Sequence, residues 1–364
     1  MRHPLHSLCP YFAMFPEDFV LKQILAYTRR GDTVFDPFCG RGTTVFESLL
    51  NGRQAAGTDI NCVAACVAGA KADSPTIRAI ERRLRELETD FGRRHPIALP
   101  EDEFFRACFH EKTLRQIISL RSQLKWETSK VDRFIAAVTL GCLHGESERS
   151  PSYLSNRMPR TISTKPAYSV RWWAANGYIA PERDAFEILR RIARYRLSAE
   201  QAPLRGFVKR RDARFAGRAF PKLERQVKLI VTSPPYLDTT DFAEDQWLRL
   251  WFLGGTAHPE RRTNRDDRHY NTRDYWTFLS EAWAGCERLV AKGTVVVIRI
   301  GGSRFEKDEL FDGLQKSLRT GFGDFRTKAL TAGDTTSIKN RQTNLFRPGT
   351  SSHRFEHDFS FALT

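Results

Sequence analysis

The chain has 364 residues, 41% of them hydrophobic, which is enough to bury a core in one large domain or in a catalytic domain carrying an insertion. Its formal net charge of +15 and pI of about 9.7 favour an acidic partner, most commonly nucleic acid, without choosing between DNA, RNA and an acidic protein. The seven cysteines include no CxxC pair, and there is no signal-type apolar stretch or run of about 18 apolar residues, so a disulfide framework, a zinc ribbon, any other metal site and a membrane span are all disfavoured for what reads as a soluble, cytoplasmic protein with buried free thiols.

Residues 17–29 place apolar side chains at helical spacing, and Gly31-Asp32 ends that helix in a turn. Thr33-Val34-Phe35 is a short β-run that feeds directly into the loop DPFCGRGTT, residues 36–44. A helix over 45–51, a turn at Gly52-Arg53 and a strand over 54–58 ending at Asp59 follow. Strand, Gly-rich loop, helix, strand and terminal acid in that order open a doubly wound α/β sheet. Helices are predicted over 62–72, 76–91, 104–125 and 131–144, a loop rich in Ser, Pro, Arg and aromatics over 145–182, and a helix over 183–197. This stretch does not alternate strand with helix, so 73–200 reads as an insertion between catalytic segments 1–72 and 201–364. The sheet pattern returns at Gly206-Phe207-Val208 and at Lys228–Thr232, which runs into SPPY. Residues 242–253 and 272–291 read as helices, with Trp247 and Trp251 as core. Thr294–Ile300 reads as a central strand and 308–319 as a helix, and 321–364 as short strands with a basic loop at 339–341.

Gly40 and Gly42 lie between a strand and a helix, where glycine allows close backbone approach to a ligand and the helix N-terminus offers N–H groups. Asp59, at the end of the next strand, can accept both hydroxyls of a ribose. A dinucleotide site prefers G-x-G-x-x-G, but position 45 is Val, and Asp36 just before the loop suits an amino-bearing ligand end rather than a pyrophosphate. Both points favour S-adenosylmethionine. Asp212, after another short β-run, is a candidate acceptor for an adenine amino group or else a surface acid in a basic stretch.

Thr232-Ser233-Pro234-Pro235-Tyr236 follows an apolar strand. Two prolines remove two donors and leave rigidly presented carbonyls, a loop suited to a substrate that offers N–H groups. Accepting both protons of an exocyclic amine at Ser233 and a proline carbonyl favours a pyramidal, nucleophilic nitrogen facing a methyl sulfonium, so the loop acts by positioning and electrostatics. Tyr236 offers an aromatic face for a base removed from the stack.

These segments resemble the amino-methyltransferase family of DNA modification enzymes, which make N4-methylcytosine or N6-methyladenine. DPFCGRGTT is similar to its DPFxGSGTT cofactor loop, with Arg41 where a small Ser is usual, and TSPPY to its (D/N/S)PP(Y/F/W) catalytic loop. Residues 11–16 (YFAMFP), Gly57–Ile60 and Asp212-Ala213-Arg214 are similar to segments on the methionine, ribose and adenine sides of the cofactor. The resemblance implies a doubly wound, Rossmann-like methyltransferase sheet with a largely helical insertion. It also implies an S-adenosylmethionine site of Phe12, Phe15, Asp36, Pro37, Phe38, Gly40, Gly42, Thr43, Thr44, Asp59, Ile60, Asp212, Ala213 and Thr232. The catalytic residues it implies are Ser233, Pro234, Pro235 and Tyr236, and Ser233 is similar to the cytosine-N4 subgroup, whereas adenine-N6 enzymes mostly carry Asp.

Arg157, Arg160, Lys165, Arg171 and Trp172 interleave basic and aromatic residues in the insertion, as phosphate contacts and base readout require, and Arg261, Arg262, Lys339 and Arg341 are further candidates. The expected partner is double-stranded DNA, with a cognate restriction endonuclease admitted by the resemblance. The alternatives are adenine-N6 methylation, RNA base methylation and a non-catalytic DNA-binding subunit.

Overall fold

The computed structural model describes residues 2–11, 16–93, 97–148, 150–158, 165–237, 245–259, 272–301, 305–331, 333–337 and 355–364. They form two compact units: an α/β unit of residues 15–60, 202–240 and 264–364, and a helical unit of residues 1–14, 61–201 and 241–263.

The α/β unit is built on β1 (Thr33–Asp36), β2 (Gln54–Asp59), β3 (Phe207–Arg210), β4 (Val227–Thr232), β5 (Val290–Gly301), β6 (Thr327–Thr331), β7 (Thr335–Ser337) and β8 (Phe355–Leu363). Their order is β3-β2-β1-β4-β5-β8-β6, with β7 also paired to β8. The first five are mutually parallel, and β8 runs antiparallel to β5, β6 and β7. Helix α1 (Glu17–Tyr27) precedes β1, and α2 (Thr43–Leu50) crosses from β1 to β2.

Alternation along the central strands explains why both faces are covered. Phe35, Ile230, Val296 and Ile298 point into the larger core with Phe359, Phe361 and residues of helices Thr272–Cys286 and Lys307–Gly321, among them Leu279, Trp283 and Leu314. Val34, Leu229, Val231 and Val297, one position out of step, point the other way onto Phe19, Val20 and Ile24 of α1.

Two expectations in this unit are corrected. The last strand before the C-terminal region begins at Val290, not Thr294, because the strand is carried across Gly293 by the Thr294 hydroxyl, which accepts from Ala291 N at 3.0 Å and donates to Val227 O at 2.7 Å. The preceding helix accordingly stops at Cys286. Residues 355–363 form one nine-residue strand, not a set of short ones, and it pairs with β5 over Val295–Gly301.

The helical unit contains helices Cys62–Ala72, Ile77–Arg93, Glu103–Cys108, Glu111–Gln123, Lys130–Cys142, Pro166–Ala175, Ala185–Arg196 and Trp247–Phe252. Trp247 and Trp251 are buried and meet Phe104 and Phe105, with ring centroids 5.0 Å apart for Trp247–Phe104 and 4.6 Å for Trp251–Phe105. Helix Pro166–Ala175 lies inside the stretch expected to be loop. Its boundary signals are Pro166 in the first turn and Gly177, at φ +63°, just past the end. Trp173 anchors it, buried, with Nε1 donating to Arg157 O at 2.6 Å. The seven cysteines are free, and all but half-buried Cys62 are buried. Among the described residues no helix is long and apolar enough to cross a membrane, and no group of His, Cys, Asp or Glu is arranged to hold a metal.

Candidate active site

The strand order reverses direction between β1 and β4, and loops leaving the carboxyl ends of such a pair diverge to open a crevice. DPFCGRGTT leaves β1 there and SPPY leaves β4. Thr232, the last residue of β4, donates its hydroxyl to Asp36 Oδ1 at 2.6 Å, and Thr44 donates to Val231 O at 3.1 Å, so the two loops are tied at their roots.

Asp36 is only 1% exposed. Its Oδ1 also accepts from Phe38 N at 3.1 Å, while Oδ2 is buried with no hydrogen-bond partner among the described residues. Burial pushes its pKa up to about 7, against the lowering effect of the Thr232 and Thr44 hydroxyls and the Phe38 amide, with the nearby Asp59 charge adding to the rise. A buried carboxyl with one oxygen unmatched is the arrangement a cationic or amino-bearing ligand end would satisfy.

The loop's shape has two local causes. Gly42 caps α2 in the left-handed region at φ +76°, which a side chain disfavours. Gly57 on β2 lies so near the loop that a Cβ there would sit 2.9 Å from Asp36 O and 2.9 Å from Cys39 Cβ. Thr58 donates its hydroxyl to Pro37 O at 2.9 Å, and Cys39 N donates to Thr58 O at 2.9 Å. Asp59, at the strand end, accepts from Gly40 N at 2.9 Å and so braces the turn it faces. It is not a helix cap: Asn61 fills that position, accepting from Val63 N at 2.8 Å. Thr43 and Thr44 are buried in the first turn of α2, and Phe38 is half-buried with its ring 5.9 Å from Phe278. Arg41, where the related motif has Ser, is turned into the protein and pairs with Glu17 of α1 at 3.1 Å. Ile60 is exposed beside Asp59.

In the second loop Ser233 and Pro235 are half-buried and Pro234 is buried. Pro235 O accepts from the Tyr275 hydroxyl at 2.9 Å, which pins the loop to helix Thr272–Cys286. Tyr236 departs from the expected open aromatic face. It is 5% exposed and belongs to the larger core, with its hydroxyl between Ser233 and Glu356. The physical reason is its place one residue before Leu237, which enters the same core and carries the chain back inward.

Asp212 accepts from Arg214 N at 2.9 Å and takes the Arg214 guanidinium on both oxygens, at 2.6 Å for Oδ2. A carboxylate so engaged has little acceptor capacity left for an adenine amino group in this arrangement. Ala213 is buried against Gly285. In the helical unit, Lys165 and Arg171 are exposed on helix Pro166–Ala175, Trp172 is half-buried with its ring 5.0 Å from Tyr178, and Arg157 lies over Tyr178 at 4.7 Å while pairing with Glu148 at 3.0 Å. Phe12, Phe15, Arg160, Arg261, Arg262, Lys339 and Arg341 lie outside the described residues.

Sequence reading missed Glu356, Asp358 and Arg299. Arg299 on β5 grips Asp358 on β8 at 2.6 and 2.7 Å and approaches Glu356 at 4.0 Å. The available signal was the alternation of His357, Phe359, Phe361 and Leu363 with Glu356, Asp358 and Ser360, a strand pattern with acids on one face.

Residues 3–66 match the family model described as DNA methylase, N6/N4 type. Over 49 residues the chain is 47% identical to the orphan methyltransferase M.BamHII of Bacillus amyloliquefaciens, a stretch that covers 14% of this chain and 18% of that protein. The chain thus spans about a fifth of the length of this curated relative. Among solved structures it superposes on the rRNA methyltransferase AviRa of Streptomyces viridochromogenes with a TM-score of 0.34 and 12% identity, covering 99% of this chain and 90% of that one. A second, a candidate rRNA-methylase from Clostridium thermocellum, gives a TM-score of 0.35 and 9% identity, covering 97% of this chain and 100% of that one. At that level of superposition neither activity nor substrate transfers.

Proposed function

We propose, from the premise that residues 3–66 carry the N6/N4 DNA methylase signature, that this chain methylates the exocyclic N4 amine of cytosine in duplex DNA using S-adenosylmethionine. The observation that carries the reading is the 2.6 Å hydrogen bond from Thr232 to Asp36, which ties the glycine loop to the SPPY loop at the switch point of the sheet.

The residues present fit the cofactor. The unmatched Asp36 Oδ2 suits its ammonium group, the Gly57 approach leaves the loop's backbone close to β2, and Asp59, at the end of β2, is the candidate acceptor for its ribose. When bound, the cofactor supplies an electrophilic methyl group. Ser233 and the Pro234 carbonyl accept the amine protons and orient the nitrogen lone pair, and the rigid Pro-Pro backbone limits reorganisation. The target base is expected to leave the duplex stack, because its amine is paired there. The insertion 73–200, with Lys165, Arg171 and Trp172, is the proposed target-recognition region, and Ser233 is the ground for preferring cytosine over adenine.

Incubation with methyl-labelled cofactor and duplex DNA, followed by digestion to nucleosides, is expected to put label in N4-methylcytosine. Label confined to N6-methyladenine would overturn the base assignment, and label in RNA alone would overturn the DNA assignment. Ser233→Ala is expected to lower turnover roughly 100-fold with cofactor affinity retained, as befits a group acting mainly in the transition state. An unchanged rate would remove Ser233 from its role.

A further inference from the structure

The SPPY loop is joined to β8 by a line of oxygens. Ser233 Oγ lies 3.2 Å from Tyr236 Oη, which lies 3.1 Å from Glu356 Oε1. Arg299 stands 4.0 Å from the other Glu356 oxygen, and the two side chains are 7% and 14% exposed. Tyr236 Oη donates its proton to Glu356 Oε1. The single Tyr236 proton is then used, and the bond between the hydroxyls must be donated by Ser233. The Ser233 proton is thus turned away from the crevice, and its lone pairs are left to receive a proton from a substrate.

We infer that Ser233, Tyr236 and Glu356 form a proton exit for the methylated amine, with Glu356 as the terminal acceptor. This rests on the amine methylation proposed above. As the nitrogen–carbon bond forms and the donor's sulfur–carbon bond breaks, the nitrogen becomes cationic and must lose one proton. That proton passes to Ser233 Oγ as the Ser233 proton passes to Tyr236 Oη and the Tyr236 proton passes to Glu356 Oε1. The products are a neutral N-methyl amine, a thioether and a protonated Glu356, and both hydroxyls end as they began. This assigns the burial of Tyr236 a purpose: a core-held phenol keeps its hydroxyl aligned between two partners. Glu356 acts through Tyr236 and is therefore a positioning residue. Among the described residues, Arg299 faces it from β5 and is shared with Asp358 on its own strand, and its partner on β7, Thr336, is uncharged.

Glu356→Gln keeps an acceptor oxygen for Tyr236 but removes the base, and Tyr236→Phe keeps the ring but breaks the line. Under single turnover with duplex DNA at saturating cofactor, both are expected to slow methyl transfer at least 10-fold, with cofactor affinity within about twofold of wild type. In the unliganded protein, the infrared carboxylate band that disappears in Glu356→Gln is expected to shift in Tyr236→Phe. A folded Glu356→Gln that keeps the wild-type rate overturns the relay alone. Should that variant fail to fold, Tyr236→Phe with wild-type rate and an unshifted band overturns it equally. Wild-type protein that methylates neither DNA nor RNA overturns the amine reading and the relay with it.

Discussion

Asp36 concentrates the chemistry of the cofactor crevice in one carboxyl. Because its native pKa of about 7 exceeds its ordinary value of 3.8, the folded chain holds a proton there that the unfolded chain releases. The associated stability is fully present below the unfolded value and is lost as pH rises to about 7, an effect of up to about 4 kcal/mol. Asp36→Asn is expected to flatten that part of the stability curve in urea unfolding between pH 4.5 and 8. A cationic ligand end favours the ionised form, so cofactor binding is expected to release a proton below pH 7 and to tighten as pH rises toward it. Calorimetry in buffers of different ionisation enthalpy measures this, and Asp36→Asn is expected to lose the proton release and weaken binding roughly 10- to 100-fold at pH 8. Unchanged binding would place the ammonium elsewhere.

At the level of elements, β2 and the loop after β1 form one joint through Gly57. Gly57→Ala puts a methyl group 2.9 Å from backbone oxygen and from Cys39 Cβ, so one partner must move. It is expected to cost about 1–3 kcal/mol in chemical denaturation and to weaken cofactor binding in parallel, while leaving the helical unit's secondary structure intact by circular dichroism. Thr33–Asp59 was legible in the sequence because every signal there is local: apolar runs, a GxG turn and an acid at a strand end. The SPPY loop was legible for the same reason. The β8 strand and its acids were not, since Arg299 and Asp358 meet only when strands distant in sequence pair, and no local pattern announces their partnership. Spacing alone presents Tyr236 as an open face, whereas its burial comes from packing, in the core it shares with Leu237 and Tyr275. Helix Pro166–Ala175 was hidden by a composition typical of loops, although its proline and glycine marked both ends.

For the whole molecule, the net charge of +15 makes the proposed DNA affinity a function of salt. If six to ten phosphates are contacted, raising salt from 50 to 200 mM is expected to weaken binding by about 10³- to 10⁵-fold. Arg171→Ala is expected to reduce the slope of log affinity against log salt by about 1 and to weaken all duplex sequences alike, as a phosphate contact does. An unchanged slope in a fluorescence-anisotropy titration would remove Arg171 from the interface.

The α/β unit is discontinuous in the chain, and this has a temporal consequence. Asp36 and Thr232, whose hydrogen bond closes the crevice, stand 196 positions apart. At about 5–20 residues per second, a ribosome needs roughly 10–40 s to reach Thr232 after making Asp36. During that interval β1 has no β4 beside it, and its apolar edge is open to the wrong partner. A nascent chain of this protein is therefore most in need of a chaperone before the site exists, and slowing translation lengthens that exposure in direct proportion.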